Sequence, residues 1–275
     1  MGVFEELIGG WQHYRQQPTI DPKNRMRMQK LFTAIVLAAF ILAGFTSCDK
    51  KESLNSAAVE DYFNFAVGKY VRYRLDSTLY INFGQKDTVI KYQARDVIEA
   101  AVTDNLGRAS WRVVRYLSDS SGTKPWTPAT TYLITPTRET IEWVENNLRF
   151  QKLKLPITEG FNWKGNSFID TYSINSEVRF MDDWDYTYED VDAPFTVLNN
   201  QIIQNTTTVN QRDEIIGFPN DPNLFSEKTY SKEVYGQGIG MIYRDFIHWE
   251  YQPPNGGNPG YKSGYGIKMV MIDHN

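Results

Sequence analysis

The sequence predicts an all-β protein, an antiparallel meander that curls into a half-barrel or open barrel. The first observation is a period of two in residues 69–81, where charged or polar residues alternate with one apolar face that consists of Val71, Tyr73, Leu75, Leu79 and Ile81. Similar stretches rich in β-branched and aromatic residues recur along the chain. No alternation of strands with helical segments is present, which favours hairpin-connected strands over a parallel sheet.

Ten further strands are predicted at residues 88–102, 109–117, 130–135, 139–145, 148–155, 195–198, 201–209, 230–235, 240–251 and 265–272. Residues 104–107, Asn146-Asn147 and Asn199-Asn200 separate consecutive strands, and asparagine tolerates the positive φ of tight hairpin turns. One helical turn is expected near residues 57–63. Because strands twist, a sheet with this many strands curls instead of lying flat.

An apolar run near the N-terminus has the order of an export signal. Arg25, Arg27 and Lys30 precede about fifteen apolar residues, and the run ends at Cys48. A comfortable transmembrane helix needs about twenty apolar residues, so the run is short for a span. The arrangement resembles the bacterial lipoprotein signal, with Phe45 at the position where that motif prefers leucine. We therefore expect Cys48 to be lipidated and to attach the chain to a membrane, with an uncleaved single-pass anchor as the alternative.

The predicted domain organisation follows from this signal. Residues 1–25 are mostly polar and precede a normal start, so they are interpreted as a mis-called start or a short cytoplasmic tail. Residues 26–47 are the signal peptide, residues 48–60 are the lipidated cysteine with a polar tether, and residues 61–275 are a β-rich envelope domain.

Charge and cysteine content limit the partners. Removal of residues 1–47 leaves 24 lysines and arginines against 30 aspartates and glutamates. An acidic chain is poorly suited to nucleic acid or to anionic lipid, since both attract a basic face. Cys48 is the only cysteine, so no intramolecular disulfide stabilises the domain.

Catalytic and metal-binding patterns are weak, and we predict neither an enzyme nor a cofactor nor a metal site. His248 and Glu250 share one face of a predicted strand, which indicates an ordinary solvent-side pair, with a general base as the alternative. The acidic residues 182–192 are interpreted as an exposed strand with its acids facing water. A calcium site there stays open, although the run lacks the glycine and the distal glutamate of a calcium-binding loop.

Four aromatic residues flank a loop rich in proline and glycine at residues 252–260. They are Trp249, Tyr251, Tyr261 and Tyr265. Long loops on β scaffolds often carry binding, so these four are the candidate ligand or partner contacts. The alternative is that they fill the core of the sheet.

Residues 234–243, with the sequence VYGQGIGMIY, place three glycines at alternate positions in a strand. With the lipoprotein signal, this segment resembles uncharacterised Bacteroidota-type lipoproteins and is similar to TapB-like envelope domains of unknown function. The resemblance implies a curved antiparallel sheet at the outer membrane, on its periplasmic or surface face, and no established activity. We expect a noncatalytic domain that binds an unknown ligand, one option being a lipid-like molecule in the concave sheet. The alternatives are a surface glycan binder and a structural partner of an envelope complex.

Overall fold

In a computed structural model of the chain, the described residues are 57–275 together with Lys23, Arg27 and Leu31. The chain divides into two compact units, Met1–Leu54 and Asn55–Asn275. In the first unit, the three described residues are helical and exposed. The second unit contains the sheet and its own hydrophobic core. The predicted signal peptide and its boundaries lie outside the described residues.

Residues 57–275 form twelve strands and no α-helix, which confirms the predicted all-β class. The strands are β1 (Tyr70–Ile81), β2 (Lys86–Thr103), β3 (Ala109–Asp119), β4 (Thr127–Pro136), β5 (Thr140–Glu145), β6 (Leu148–Lys154), β7 (Asn162–Trp163), β8 (Tyr186–Thr196), β9 (Ile202–Gly217), β10 (Ser226–Gly236), β11 (Gly240–Gln252) and β12 (Tyr261–His274).

All twelve strands belong to one antiparallel sheet in the order β6-β5-β4-β3-β2-β1-β12-β11-β10-β9-β8-β7. Consecutive strands pair, as a meander predicts, except that β6 does not pair with β7, and β1 also pairs with β12. This pairing of the first and last strands moves the free edges to β6 and β7, in the middle of the chain. The sheet curls until those edges approach each other, so it is a barrel with one unsealed seam.

A few hydrogen bonds cross this seam without forming a strand pair. The amide of Gln151 donates to the carbonyl of Gly165 over 2.8 Å, and Trp163 Nε1 donates to the carbonyl of Gln151 over 2.8 Å. The hydroxyl of Tyr188 donates to the carbonyl of Lys154 over 2.8 Å and accepts from its amide over 2.7 Å. The seam is therefore held mainly by aromatic side chains.

The described chain enters the barrel through a short 3-10 helix at Val59–Tyr62, where one helical turn was expected. Tyr62 is fully buried, and its hydroxyl lies 2.6 Å from Thr207 Oγ1. The amide of Gly238, in the turn between β10 and β11, donates to the carbonyl of Asp61 over 2.7 Å. This segment thus fills the end of the barrel where β10 turns into β11.

The inward face of the sheet is filled by large side chains. Tyr186, Tyr188 and Tyr235 are fully buried, together with Met269 and Met271. Burial of aromatic and thioether side chains is the main stabilising contribution in a barrel without disulfides.

Charged residues also point into the barrel. Lys152 Nζ on β6 lies 2.7 Å from Glu233 Oε1 on β10, and both side chains are almost completely buried. Arg115 on β3 makes two hydrogen bonds of 2.7 Å to the carboxylate of Asp96 on β2. Buried charges occur where they are paired and hydrogen-bonded, and both conditions hold here.

The predicted turns are confirmed. Asn146 and Asn147 form a two-residue turn between β5 and β6, with φ values of 52° and 61°. Asn199 and Asn200 have φ values of 59° and 58° between β8 and β9. Residues 104–107 connect β2 to β3.

The structure corrects the prediction for the acidic residues 182–192. The strand predicted at residues 195–198 begins much earlier, at Tyr186. Trp184, Tyr186 and Tyr188 do not lie on an exposed strand, because all three are buried in the core. Aromatic and acidic residues do alternate here, as predicted, but the aromatic side chains face the inside of the barrel.

Candidate functional site

A cleft of about 810 Å³ opens at the end of the barrel opposite the 3-10 helix, and we name it the end cleft. One wall is part of the long β7–β8 loop, residues 164–185. The other wall consists of the last inward-facing residues of strands β9 to β12. The lining residues are Thr171, Tyr172, Ser176, Glu177, Arg179, Phe180, Asp182, Asp183, Arg212, Glu214, Ile216, Glu227, His248, Glu250, Gly264 and Tyr265.

His248 lies at the base of the end cleft. Its Nδ1 is 3.0 Å from the hydroxyl of Thr229 on the neighbouring strand β10. The ring of Phe180 stacks on the imidazole with a centroid distance of 3.9 Å and an interplanar angle of 12°. Burial lowers the pKa of His248 from 6.5 to about 4, because desolvation disfavours the charged imidazolium. The ring is therefore neutral at physiological pH.

Three glutamates lie near this histidine on adjacent strands. Glu227 Oε1 is 3.8 Å from His248 Nδ1, and Glu227 stands directly opposite Glu250 in the β10–β11 pair. Burial, and then repulsion from Glu250 and Glu214, raise the pKa of Glu227 above its ordinary value. A positive group placed among these carboxylates would relieve the repulsion.

Arg212 connects the two walls of the end cleft. Its Nε and Nη2 donate to Glu214 Oε2 over 3.2 and 2.6 Å, and its Nη1 donates to the carbonyl of Asp183 over 3.1 Å. The guanidinium is thus occupied by a glutamate on its own strand and by the backbone of the β7–β8 loop. It fixes the loop over the barrel and neutralises one carboxylate.

The end cleft carries an excess of negative charge. Six carboxylates line it, against two guanidinium groups, while His248 is neutral. Aromatic rings from Tyr172, Phe180 and Tyr265 share the same surface. A concave, acidic surface with exposed aromatic rings favours a cationic ligand, through carboxylate contacts and cation–π attraction.

Metal chemistry receives no support from the described part of the chain. Within it, no group of three or more histidine, cysteine, aspartate or glutamate side chains is placed to hold a metal ion. Within residues 182–192, Asp183 and Asp185 both approach Lys164 Nζ, at 3.6 and 3.1 Å, so a lysine ammonium group already lies between these two carboxylates.

The four aromatic residues predicted from the sequence are divided between two faces. Trp249 is buried, with Lys262 Nζ 4.0 Å from the centre of its ring. The hydroxyl of Tyr251 donates to the carbonyl of Pro222 over 2.8 Å. Because side chains alternate along a strand, these two residues face away from His248.

Tyr265 stands opposite His248 in the β11–β12 pair and lines the end cleft, and Tyr261 shares its face nearer the end of the barrel. Of the four candidates, Tyr265 alone belongs to the cleft.

Cys48, the predicted lipidation site, lies outside the described residues. Among the residues that are described, no helix is both long and apolar enough to cross a membrane.

The sequence drew attention to His248 and Glu250 but gave the wrong environment for the pair. His248 is only 7% exposed, so it does not lie on the solvent side of the sheet. The sequence patterns did not indicate a role for Phe180, Arg212 or Glu227. The available signal was the alternation of Glu227, Thr229 and Ser231 along β10, which was uninformative because a polar alternating face normally indicates the outside of a sheet.

No protein-family model matches the chain, and no curated protein matches it. The resemblance to Bacteroidota-type lipoproteins therefore stays a prediction.

Proposed function

We propose that the chain is a noncatalytic lipoprotein of the cell envelope, anchored through lipid on Cys48, whose barrel binds a small cationic ligand in the end cleft. The observation that carries the ligand site is the 810 Å³ cleft with its excess of carboxylates and its aromatic rings. Sites for small molecules are typically concave, with a few polar groups that fix the orientation of the ligand.

The packing of His248 favours binding over catalysis. A general base must reach the proton that it removes. The imidazole is covered on one face by Phe180, and its Nδ1 is 3.0 Å from the hydroxyl of Thr229. Both contacts hold the ring as part of the core, and Thr229 itself does not line the cleft.

The interior of the barrel offers little room for a lipid-like ligand. A cavity at the opposite end, lined by Tyr73, Trp143 and Met241 among others, has a volume of about 50 Å³. Such a volume is enough for only a few water molecules. A lipid in the concave sheet would have to displace buried tyrosines, whereas the end cleft is open without any displacement.

A surface glycan binder is the second candidate. Tyr172 is 76% exposed and Tyr265 is 41% exposed, and both lie on the surface of the end cleft. Exposed aromatic rings beside carboxylates can stack on a sugar and accept hydrogen bonds from its hydroxyls. A neutral oligosaccharide would use the same cleft without needing its charge.

The two candidates can be separated with residues 55–275, because this unit contains its own core. We expect spermidine to raise the melting temperature, since a ligand that binds only the folded state stabilises it, and maltohexaose to leave it unchanged. Glu250→Gln should weaken spermidine binding by roughly fivefold, about 1 kcal/mol, as measured by titration calorimetry.

Glu60→Gln is the control, because Glu60 is an exposed acid in the 3-10 helix at the other end of the barrel. Equal losses in the two variants would indicate nonspecific charge screening. A response to maltohexaose alone would favour the glycan binder.

The anchor has its own test. Cys48→Ser in the full chain, expressed in a bacterial host, should abolish incorporation of labelled fatty acid and release the protein from the membrane fraction. Labelling that persists in this variant would exclude Cys48 as the lipidation site, whatever the result for the cleft.

A further inference from the structure

Three neighbouring loops lie beside the β7–β8 loop at the end of the barrel that carries the end cleft. They connect β1 to β2 (residues 82–85), β9 to β10 (residues 218–225) and β11 to β12 (residues 253–260), and we name them the apical loops. Strand direction alternates through the sheet, so these three connections lie at one end, away from the turn between β10 and β11.

Hydrogen bonds connect the apical loops to one another. The amide of Lys262, at the start of β12, donates to the carbonyl of Gly84 over 2.8 Å. Gly84 has a φ of 77°, and a Cβ there would overlap the carbonyl of Lys262, so only glycine permits this approach. The hydroxyl of Tyr251 donates to the carbonyl of Pro222 over 2.8 Å. The loops therefore form one surface.

This surface is almost free of charge. Residues 77–85, 215–226 and 251–261 contain a single charged side chain, Asp221, in a chain of which 23% is charged. At that frequency about seven charges would be expected in these segments. Asp221 itself accepts hydrogen bonds from the amide of Asn223 over 2.9 Å and from its side chain over 3.2 Å.

Large apolar side chains project from the apical loops. Phe83 is 92% exposed and Phe218 is 63% exposed, and the neighbouring Leu224, Phe225 and Tyr261 are 41%, 38% and 44% exposed. Phe83 has a φ of 56°, in the left-handed region that glycine or asparagine normally occupies. A phenylalanine there neither fills the core nor favours the turn, so the fold does not account for it.

We propose that the apical loops insert into a lipid surface. Their apolar side chains stand on separate turns, and such turns can enter the interface of a bilayer, which accepts aromatic rings, while the hydrocarbon core below it excludes charge. Protein interfaces are also enriched in arginine, and these loops contain neither arginine nor lysine.

This lipid contact is distinct from the predicted anchor. The 3-10 helix through which the described chain enters the barrel contacts Gly238, at the opposite end. The proposal therefore requires neither lipidation of Cys48 nor ligand binding in the end cleft. Because the domain is acidic, we expect it to bind lipids whose headgroups have no net charge. Attachment should then depend on apolar burial and should persist in high salt.

The first test is cosedimentation of residues 55–275 with vesicles of phosphatidylcholine and phosphatidylethanolamine. We expect Phe83→Asn to weaken partitioning about tenfold, since burial of one phenylalanine side chain contributes about that factor or more. The matched control is Leu106→Asn, because Leu106 is 73% exposed in the turn between β2 and β3, at the other end of the barrel. This variant should partition like the unchanged protein.

A second measurement follows the position of the loop itself. Residues 55–275 contain no cysteine, so Phe83→Cys and Leu106→Cys can each carry one polarity-sensitive fluorophore. The emission should shift to the blue on addition of vesicles at position 83 and not at position 106. Equal shifts at both positions, or no sedimentation of the unchanged protein, would overturn the proposal. Dimers that dissociate in Phe83→Asn, without vesicle binding, would reassign the surface to a protein contact.

Discussion

Lys152 and Glu233 form an ion pair across the inside of the barrel, with 2.7 Å between Nζ and Oε1, although their strands β6 and β10 are not neighbours in the sheet. Glu233 also accepts hydrogen bonds from Gln211 over 2.8 Å and from Tyr235 over 2.7 Å. Burial alone would raise the pKa of Glu233, but Lys152 and Arg244 hold it below its ordinary value. The Glu233 carboxylate thus stays charged in the core. Its ion pair with Lys152 connects β6, at the seam, to β10.

The first prediction concerns this pair. Lys152→Met should lower the free energy of unfolding by about 3–5 kcal/mol, because it leaves a charged glutamate without its main partner. Adding Glu233→Gln should recover part of the loss, with a coupling of at least about 1 kcal/mol. Urea denaturation measures both values.

The matched control is Lys232→Met. Lys232 is the half-buried partner of Glu189, over 3.2 Å, and such pairs contribute about 1 kcal/mol or less. If Lys152→Met costs no more than Lys232→Met, the buried pair does not stabilise the barrel.

The second prediction concerns the seam. Tyr188→Phe removes the hydroxyl that bonds both the amide and the carbonyl of Lys154, so we expect a loss of about 1–3 kcal/mol. Amide hydrogen exchange at Lys154 should become faster, while exchange in the β1–β12 pair should not change. Tyr251→Phe, which removes a hydroxyl bond at a loop, is the control. Unchanged exchange at Lys154 would mean that Tyr188 does not close the seam.

The third prediction concerns pH. The pKa of His248 falls from 6.5 to about 4 on folding, so the unfolded chain takes up the proton first as the pH falls. Stability should therefore decrease between about pH 6.5 and pH 4, by up to about 3 kcal/mol, and this contribution should be constant above pH 6.5.

Melting temperatures across this range should decrease less steeply for His248→Gln than for the unchanged protein. Glu227 has the opposite sign, because its raised pKa favours the protonated folded state as the pH falls. Glu227→Gln should therefore make the decrease steeper. Parallel pH profiles for all three proteins would contradict the assignment of this pH dependence to His248 and Glu227.

The fourth prediction concerns the turn between β5 and β6. Asn147 has a φ of 61°, so Asn147→Gly should stabilise the protein by a few tenths of a kcal/mol, and Asn147→Ala should destabilise it by about 1 kcal/mol. Asn105→Ala is the control, since Asn105 also lies in a turn but does not itself have a positive φ. Equal effects of the two alanine substitutions on the urea midpoint would show that the left-handed backbone is not the cause.

Local signals in the sequence were sufficient for most strands and turns. The alternation around Tyr73 and Leu75 identified an inward face, and both residues are buried, although Leu79 and Ile81, predicted on the same face, are 36% and 41% exposed. The paired asparagines identified two turns, because positive φ is a property of the turn residues themselves. Such features depend on neighbours within a few positions, so a sequence read alone can reveal them.

The candidate site was less predictable for a definite reason. Alternation shows that Glu227, Thr229 and Glu233 share a face, but in a barrel with a partly polar interior it does not show which face is inward. Tyr186 and Tyr188 were placed outside for the same reason, although both are fully buried.

The antiparallel β meander, most of its strands and the turns between them follow from local residue patterns. The pairing of β1 with β12, the seam between β6 and β7, and the cover that the β7–β8 loop forms over one end do not. Those features depend on pairings between residues far apart in the chain. Such pairings are selected by the curvature of the whole sheet and by the burial of its charges, which no short stretch of sequence records.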